Sequence, residues 1–358
     1  MQPSSPASAN GRRQPVLALV AAVVLAAAAV LAAAQQRPPA ADRPLVAAPT
    51  AVPRAVASPL AGAPAAPSQR GGPFAVVLGI AQDGGYPQAG TKESAAWDDP
   101  TQRRLVASLG LVDPQGGRRW LVDCTPDFPQ QLQHLDRIAP VVGAPGLDGI
   151  LLTHAHVGHY AGLIHLGREA MGAHAVPVYA MPRMADFLRA NGPWELLLRL
   201  GNVVIAPLAA GEPVRLAGRL TATPLLVPHR DEYSETVAFR IAGPTRTLLW
   251  LPDIDKWERW DAQGTKLEAV LAGVDVAYLD GTFFADGEVP GRSMAEIPHP
   301  FVRETIARLA ALPAGERRKV RFVHLNRTNP LVRSDAAARA EVATAGMAVA
   351  EEGERQPL

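Results

Sequence analysis

From Phe74 onward the chain alternates between short, nearly unbroken apolar runs and longer stretches with helical spacing. Phe74–Gly79 predicts a strand that opens into the glycine-rich loop Asp83-Gly84-Gly85-Tyr86-Pro87. Residues 104–111 and 119–123 predict paired strands around the turn Asp113-Pro114-Gln115-Gly116-Gly117. A helix is expected over 126–135, with Asp127 near its start, and a buried strand over 150–153. A helix over 160–171, a strand at Val176–Ala180 and a helix over 182–191 follow. The second half repeats this rhythm. Strands are expected at 220–227, 236–241, Thr247–Leu251 and 276–279, then a helix over 301–312 and a strand at Val320–Val323. The pattern fits a sandwich of two β-sheets flanked by helices.

The first 72 residues break this pattern. Arg12 and Arg13 precede an apolar run over 15–34 that ends in Ala32-Ala33-Ala34, with Gln35 after it. A basic n-region, an apolar h-region and a small-residue site read as an export signal. The run is also long enough for an uncleaved anchor crossing the bilayer once. Either way, the expected location is outside the cytoplasmic membrane: periplasmic, or tethered to its outer face through residues 15–34. Residues 35–72 are rich in Ala and Pro, lack aromatics and show no periodicity, so a disordered linker is expected. One domain is then expected over 73–350, with a tail at 351–358.

Composition narrows the chemistry. The formal net charge of +1 on 358 residues argues against an electrostatically driven nucleic-acid binder. A single cysteine, Cys124, excludes an intrachain disulfide framework and a Cys-rich zinc site, so His and carboxylate must supply any metal ligands. They are present. His154-Ala155-His156-Val157-Gly158-His159 follows an apolar run directly. A spacing of two on extended chain turns His154 and His156 to one side, and Gly158 permits a tight turn before His159. Three imidazoles converging on one spot suit zinc or another borderline metal. Further on, His229, Asp253 and His324 each stand where an apolar run ends.

The order His-x-His-x-x-His, then His, then Asp, then His resembles the metallo-β-lactamase superfamily. Four segments resemble its PqqB family, named for pyrroloquinoline quinone biosynthesis. They are Gly79-Ile80-Ala81-Gln82-Asp83-Gly84-Gly85-Tyr86-Pro87-Gln88, Asp123-Cys124-Thr125-Pro126-Asp127-Phe128-Pro129-Gln130-Gln131, Asp280-Gly281-Thr282-Phe283-Phe284, and His324-Leu325-Asn326-Arg327-Thr328-Asn329-Pro330. The resemblance implies an α/β chain of αββα form: two mixed β-sheets flanked by helices, with a metal site at the strand ends. It assigns His154, His156 and His229 to a first metal position. His159, Asp253 and His324 go to a second, with Asp253 as a bridging ligand. Two departures stand out. Gly158 sits where the superfamily usually carries a ligating Asp, which weakens the second position unless Asp255 or a water fills in. Gly90, Thr91, Lys92 and Glu93 follow the opening loop, where PqqB proteins often carry Cys. His154 and His156 in turn restore a pair that PqqB proteins often vary.

The resemblance also implies a chemistry. A zinc-bound hydroxide would attack an ester, lactone, amide or phosphodiester of a small-molecule substrate, with one or two ions present. Asp253 would orient the water. His299 stands where phosphodiesterase-like relatives such as tRNase Z carry a proton-donating histidine, and Asp280 and Asp83 would support the site from a second layer. His165 and His174 read as structural, His134 as a surface helix residue, and Asn326 and Asn329 as holding the last loop. Cys124 reads as either buried or facing the site. Trp250, Trp257 and Trp260 read as core. Two alternatives stay open: an Fe2+-dependent PqqB-like oxygenase, since these donors suit iron equally, and a metal-stabilised carrier for a quinone-like molecule. Oligomeric state is left open.

Overall fold

The computed structural model describes residues 71–358 apart from positions 290, 292, 295, 296 and 335. The expected export segment, and the linker up to residue 70, lie outside the described residues. Among those described, no helix is long and apolar enough to cross a membrane.

The first half of the domain supplies β1 (Phe74–Gly79), β2 (Ser108–Asp113), β3 (Arg118–Val122), β4 (Gly149–Leu151), β5 (Val176–Ala180) and β6 (Val203–Pro207). The second supplies β7 (Val214–Ala217), β8 (Leu220–Leu226), β9 (Val237–Ala242), β10 (Thr247–Leu251), β11 (Val276–Asp280), β12 (Val320–Val323) and β13 (Ala348–Val349). A last strand, β14 (Arg355–Pro357), returns to the first sheet. Each sheet has seven strands, ordered β14-β1-β2-β3-β4-β5-β6 and β13-β12-β11-β10-β9-β8-β7. Both are mixed in the same way. Pairs β1–β2 and β2–β3 are antiparallel and β3 to β6 run parallel. Likewise β7 to β10 pair antiparallel and β10 to β13 run parallel. Parallel neighbours require crossovers, and helices such as Phe128–Ile138, Pro182–Ala190 and Val302–Leu309 supply part of them.

Burial explains why the apolar runs became strands. β2 and β11 are buried at every position and form part of one continuous core with residues of both sheets. Helix Phe128–Ile138 buries Phe128, Gln131 and Leu135, which share one face at helical spacing. Trp250, Trp257 and Trp260 all lie in this core.

Three expectations need correction, and several elements were missed. Residues 351–358 are not a tail: Phe74 pairs with Pro357 and Val76 with Arg355, and Leu358 is buried. The helix expected over 160–171 is a short turn, Val157–Tyr160, followed by the 3-10 segment Ala161–Leu166. Glycines 162 and 167 weaken a regular helix there, and Gly162 packs against the Thr125 and Cys124 carbonyls. The strand expected over 104–111 starts only at Ser108, because β1–β2 pairing shifts register between Val77 and Gly79. β6, β7, β13 and β14, with helices such as Trp194–Arg199 and Ala337–Thr344, were not foreseen.

Since β1, β3 and β4 run in one direction and β8, β10, β11 and β12 share another, their carboxyl ends gather at one rim of each sheet. Every candidate ligand lies just beyond one of these ends.

Candidate metal centre

The His cluster leaves β4 through Thr153, whose N–H and hydroxyl both bond Asp123, 2.8 and 2.9 Å away. This anchor sits just past β3 with φ of 66°. The buried rings of His154 and His229, and the partly exposed His156, then gather round Asp253. His154 Nε2 lies 2.9 Å from His156 Nδ1, and His229 Nε2 3.2 Å from the same atom. Asp253 closes the group, 3.4 Å from His154 Nε2 and 3.4 Å from His229 Nε2.

The outer nitrogens fix the tautomers. His229 Nδ1 faces Asp255 at 3.1 Å and His156 Nε2 faces Glu232 at 2.9 Å, and a carboxylate accepts only. The Thr153 hydroxyl donates to Asp123, so at 3.0 Å it accepts from His154 Nδ1. Each ring therefore spends its N–H outward and points an unprotonated nitrogen inward, that of His156 also lying 3.3 Å from the Arg230 guanidinium. Burial, then the charge of His159, holds His154 well below the usual imidazole range; burial also lowers His156. Neutral nitrogens facing one another this closely repel unless a cation lies between them. Their spacing of 2.9–3.4 Å is near the edge of about 3.3 Å for a tetrahedron of nitrogen ligands around zinc.

A second group adjoins the first. His159 Nε2 is 3.4 Å and His324 Nε2 3.7 Å from Asp83 Oδ1. Both nitrogens are also 3.7 Å from Asp253 Oδ2, the oxygen that faces His154. Asp253 thus stands between the two groups. The outer nitrogens are again engaged: His159 Nδ1 with Asp123 at 2.8 Å, and His324 Nδ1 with Thr282 at 3.0 Å, whose hydroxyl donates to Asp280 at 2.7 Å. Four atoms here are buried without any hydrogen-bond partner: Asp83 Oδ1, Asp253 Oδ1, His159 Nε2 and His324 Nε2. Burial pushes the Asp253 and Asp83 carboxyls up, but the surrounding histidines outweigh it and hold both well below the usual carboxylate range. Burial presses His159 down, while Asp123 and Asp83 lift it well above its own range. That demand for positive charge is met by a proton or by a metal ion.

Asp83 was expected in a supporting layer. The structure places it instead among the inward-facing donors. Asp255, the substitute considered for the missing carboxylate, is turned away toward His229 and Arg259.

His299 flanks the pair of groups. Its Nδ1 is 2.8 Å from Asp280 and 3.3 Å from Asp253. Burial presses this ring down, yet Asp280 and Asp253 outweigh it and raise it to about 9. Asp280 also accepts the N–H groups of Thr282 and Ile254. His299 lines a cavity of about 360 Å³ with Gln82, Gln88, Arg230, Phe283, Val289, Ile297, Pro298, Asn326, Arg327 and Thr328.

Sequence reasoning missed the roles of Asp123, Thr153, Glu232 and Thr282, each of which holds a ring from behind. The Thr-His and Asp-Gly-Thr strings carried the signal, but their partners are remote in sequence. Asn326 bonds Thr328 and Gln82, and Asn329 donates to the Gly281 carbonyl at 2.6 Å, so both hold the last loop. His165 stacks on Phe128, away from the metal-facing rings. Cys124 is buried; burial, with Asp123, raises its thiol well above the usual range.

Comparison with known proteins gives a consistent picture. A β-lactamase superfamily domain model matches residues 118–325. The chain is 31% identical over 314 residues to the coenzyme PQQ synthesis protein B of Methylobacterium nodulans, covering 78% of this chain and 98% of that protein. It is 29% identical over 308 residues to the protein of the same name from Xanthomonas axonopodis pv. citri, with 78% and 97% covered. The crystal structure of Zn(2+)-bound PqqB from Methylobacterium extorquens superposes with a TM-score of 0.65 at 27% identity, over 80% of this chain and 100% of that one.

Proposed function

This chain belongs to the β-lactamase superfamily and is PqqB-like within it, and on that premise we propose that it is an exported, zinc-dependent hydrolase. Its substrate is a small ester, lactone, amide or phosphodiester. The observation that carries the reading is the inward facing of bare imidazole nitrogens from His154, His156 and His229 around Asp253. A zinc ion held there supplies Lewis acidity toward a carbonyl or phosphoryl oxygen and acidifies water.

The chain's own residues do the rest. Asp253, fixed between two sets of histidines, orients whatever lies between them. His299 is kept protonated by Asp280 and Asp253 and lines the cavity, where it delivers a proton to a leaving group. Arg230 and Arg327 line the same cavity and favour an anionic substrate, which ranks a phosphodiester first. Export rests on the basic and apolar segment 12–35.

A second reading is favoured by one observation. His159, His324 and Asp83 form a two-histidine, one-carboxylate set, a donor combination used by iron-dependent oxygenases. With the similarity to PQQ synthesis protein B, this keeps a PqqB-like oxygenase in view.

Elemental analysis of the full-length chain, purified without chelators, separates the two. Zinc, with phosphodiester or lactone hydrolysis that falls more than about 100-fold in a His154→Ala, His156→Ala variant, supports the hydrolase; losing a mere supporting partner costs no more than that. Iron without hydrolysis transfers the case to the oxygenase. A chain that takes up no metal after reconstitution sinks both.

A further inference from the structure

We infer that Asp83 supplies the carboxylate of a second metal position, and that Gly158 is glycine because Asp83 occupies the space its side chain would fill. The inference rests on the metal-centre reading above and adds a ligand and a second ion to it.

The steric argument comes first. A Cβ built on Gly158 would meet Asp83 Cα at 2.6 Å and Cγ at 2.9 Å, with Oδ1 closer still. Real Cβ atoms do not approach backbone so closely, so no side chain fits at 158 while Asp83 stays in place. Gly158 has no positive φ, so its backbone conformation is open to any residue and the constraint is space alone.

The second argument is chemical. Asp83 Oδ1 is buried and has no hydrogen-bond partner, and neither do His159 Nε2 and His324 Nε2, at 3.4 and 3.7 Å from it. Leaving one buried polar atom unsatisfied costs about 1–3 kcal/mol. Three converging on one point are explained by an ion that satisfies them together. Both histidines are completely buried.

The third is mechanical. The loop that carries Asp83 is tied to the strand end that carries His324. Gln82 donates its N–H to the Leu325 carbonyl at 2.9 Å, and Leu325 donates to Ile80 at 2.8 Å. Ala81 and Leu325 form a parallel bridge. A ligand on a glycine-rich loop is thereby held as firmly as one on a strand end. The carboxylate missing from the His cluster is thus supplied from the other side of the same pocket.

The test is metal stoichiometry in the full-length chain after zinc loading and desalting, with circular dichroism to verify folding. Wild type is expected to hold two ions. Asp83→Asn should drop to one, as should Asp83→Ala, while the ion that depends on His154 remains. The exchange variant, Asp83→Gly with Gly158→Asp, should recover the second ion, because the new carboxylate enters the vacated space. Gly158→Asp alone should lose an ion or fail to fold. The inference is overturned if wild type holds a single His154-dependent ion that Asp83→Asn leaves in place, or if two ions survive in Asp83→Asn. Absence of any metal would instead strike the centre as a whole, which keeps the two failures apart.

Discussion

Asp123 and His324 take φ values of 66° and 64°, in the left-handed region that residues with a Cβ enter at a cost of about 1–3 kcal/mol. Both lie at strand ends beside the metal-facing groups. For Asp123 the cost is offset by three bonds: two to Thr153 and one to His159 Nδ1. Its charge matters as much as its shape. In an Asp123→Asn variant the amide would present N–H groups to a ring nitrogen that also donates. His159 would have to rotate or move its proton to Nε2, the nitrogen that faces the proposed ion. Metal affinity should fall about 10- to 100-fold while the fold survives. A zinc competition titration with a chromophoric chelator measures it, and unchanged affinity would remove Asp123 from the positioning role. The clustering of these histidines was legible in sequence because imidazoles at strand ends are conspicuous. Asp83 was legible as a neighbour but not as the ligand proposed above. Its proposed role depends on the missing side chain at Gly158, remote along the chain, which only packing reveals.

At the scale of elements, strands showed in the sequence where an apolar run is compact and bounded by polar or turn residues. β5, β10 and β12 match their expected bounds to the residue. β6 did not, because only its first position, Val203, is buried and its burial follows no alternation. β14, Arg355-Gln356-Pro357, has no apolar pattern, and its partner β1 alone makes it a strand. The irregular end of β1 is the element on which the candidate centre most depends. A Cβ on Gly79 would lie 2.7 Å from the Leu105 carbonyl oxygen. Gly79→Ala should therefore push β1 and the chain before β2 apart, costing about 1–3 kcal/mol. The same displacement should move the Asp83 loop. Urea unfolding paired with metal analysis tests this. A stable variant with its full metal content would show that the close approach has no structural consequence.

At the scale of the molecule, the C-terminal segment closes the domain, and one of its groups titrates in the process. Glu352 accepts the Leu105 N–H at 2.6 Å, and burial lifts its carboxyl from 4.5 to about 7. A carboxyl raised on folding binds more protons folded than unfolded across that interval. Its contribution is thus fully present below about pH 4.5 and lost as pH climbs through 7. Glu352→Gln keeps an acceptor and removes the titration. Relative to this variant, the wild type should lose up to about 3 kcal/mol of stability between pH 4.5 and 8. Unfolding both proteins at the two pH values tests it, and an equal difference at both would show that Glu352 is not buried in the way described.

The two halves of the domain meet at the rim, and each proposed ion draws evenly on both. One has His154 and His156 from the first half and His229 and Asp253 from the second; the other has Asp83 and His159 from the first and His324 and Asp253 from the second. Neither half closes a coordination sphere alone. Occupancy therefore gauges the seam: a small slip of one sheet against the other is felt first as a lost ion, and unfolding and metal release become one event.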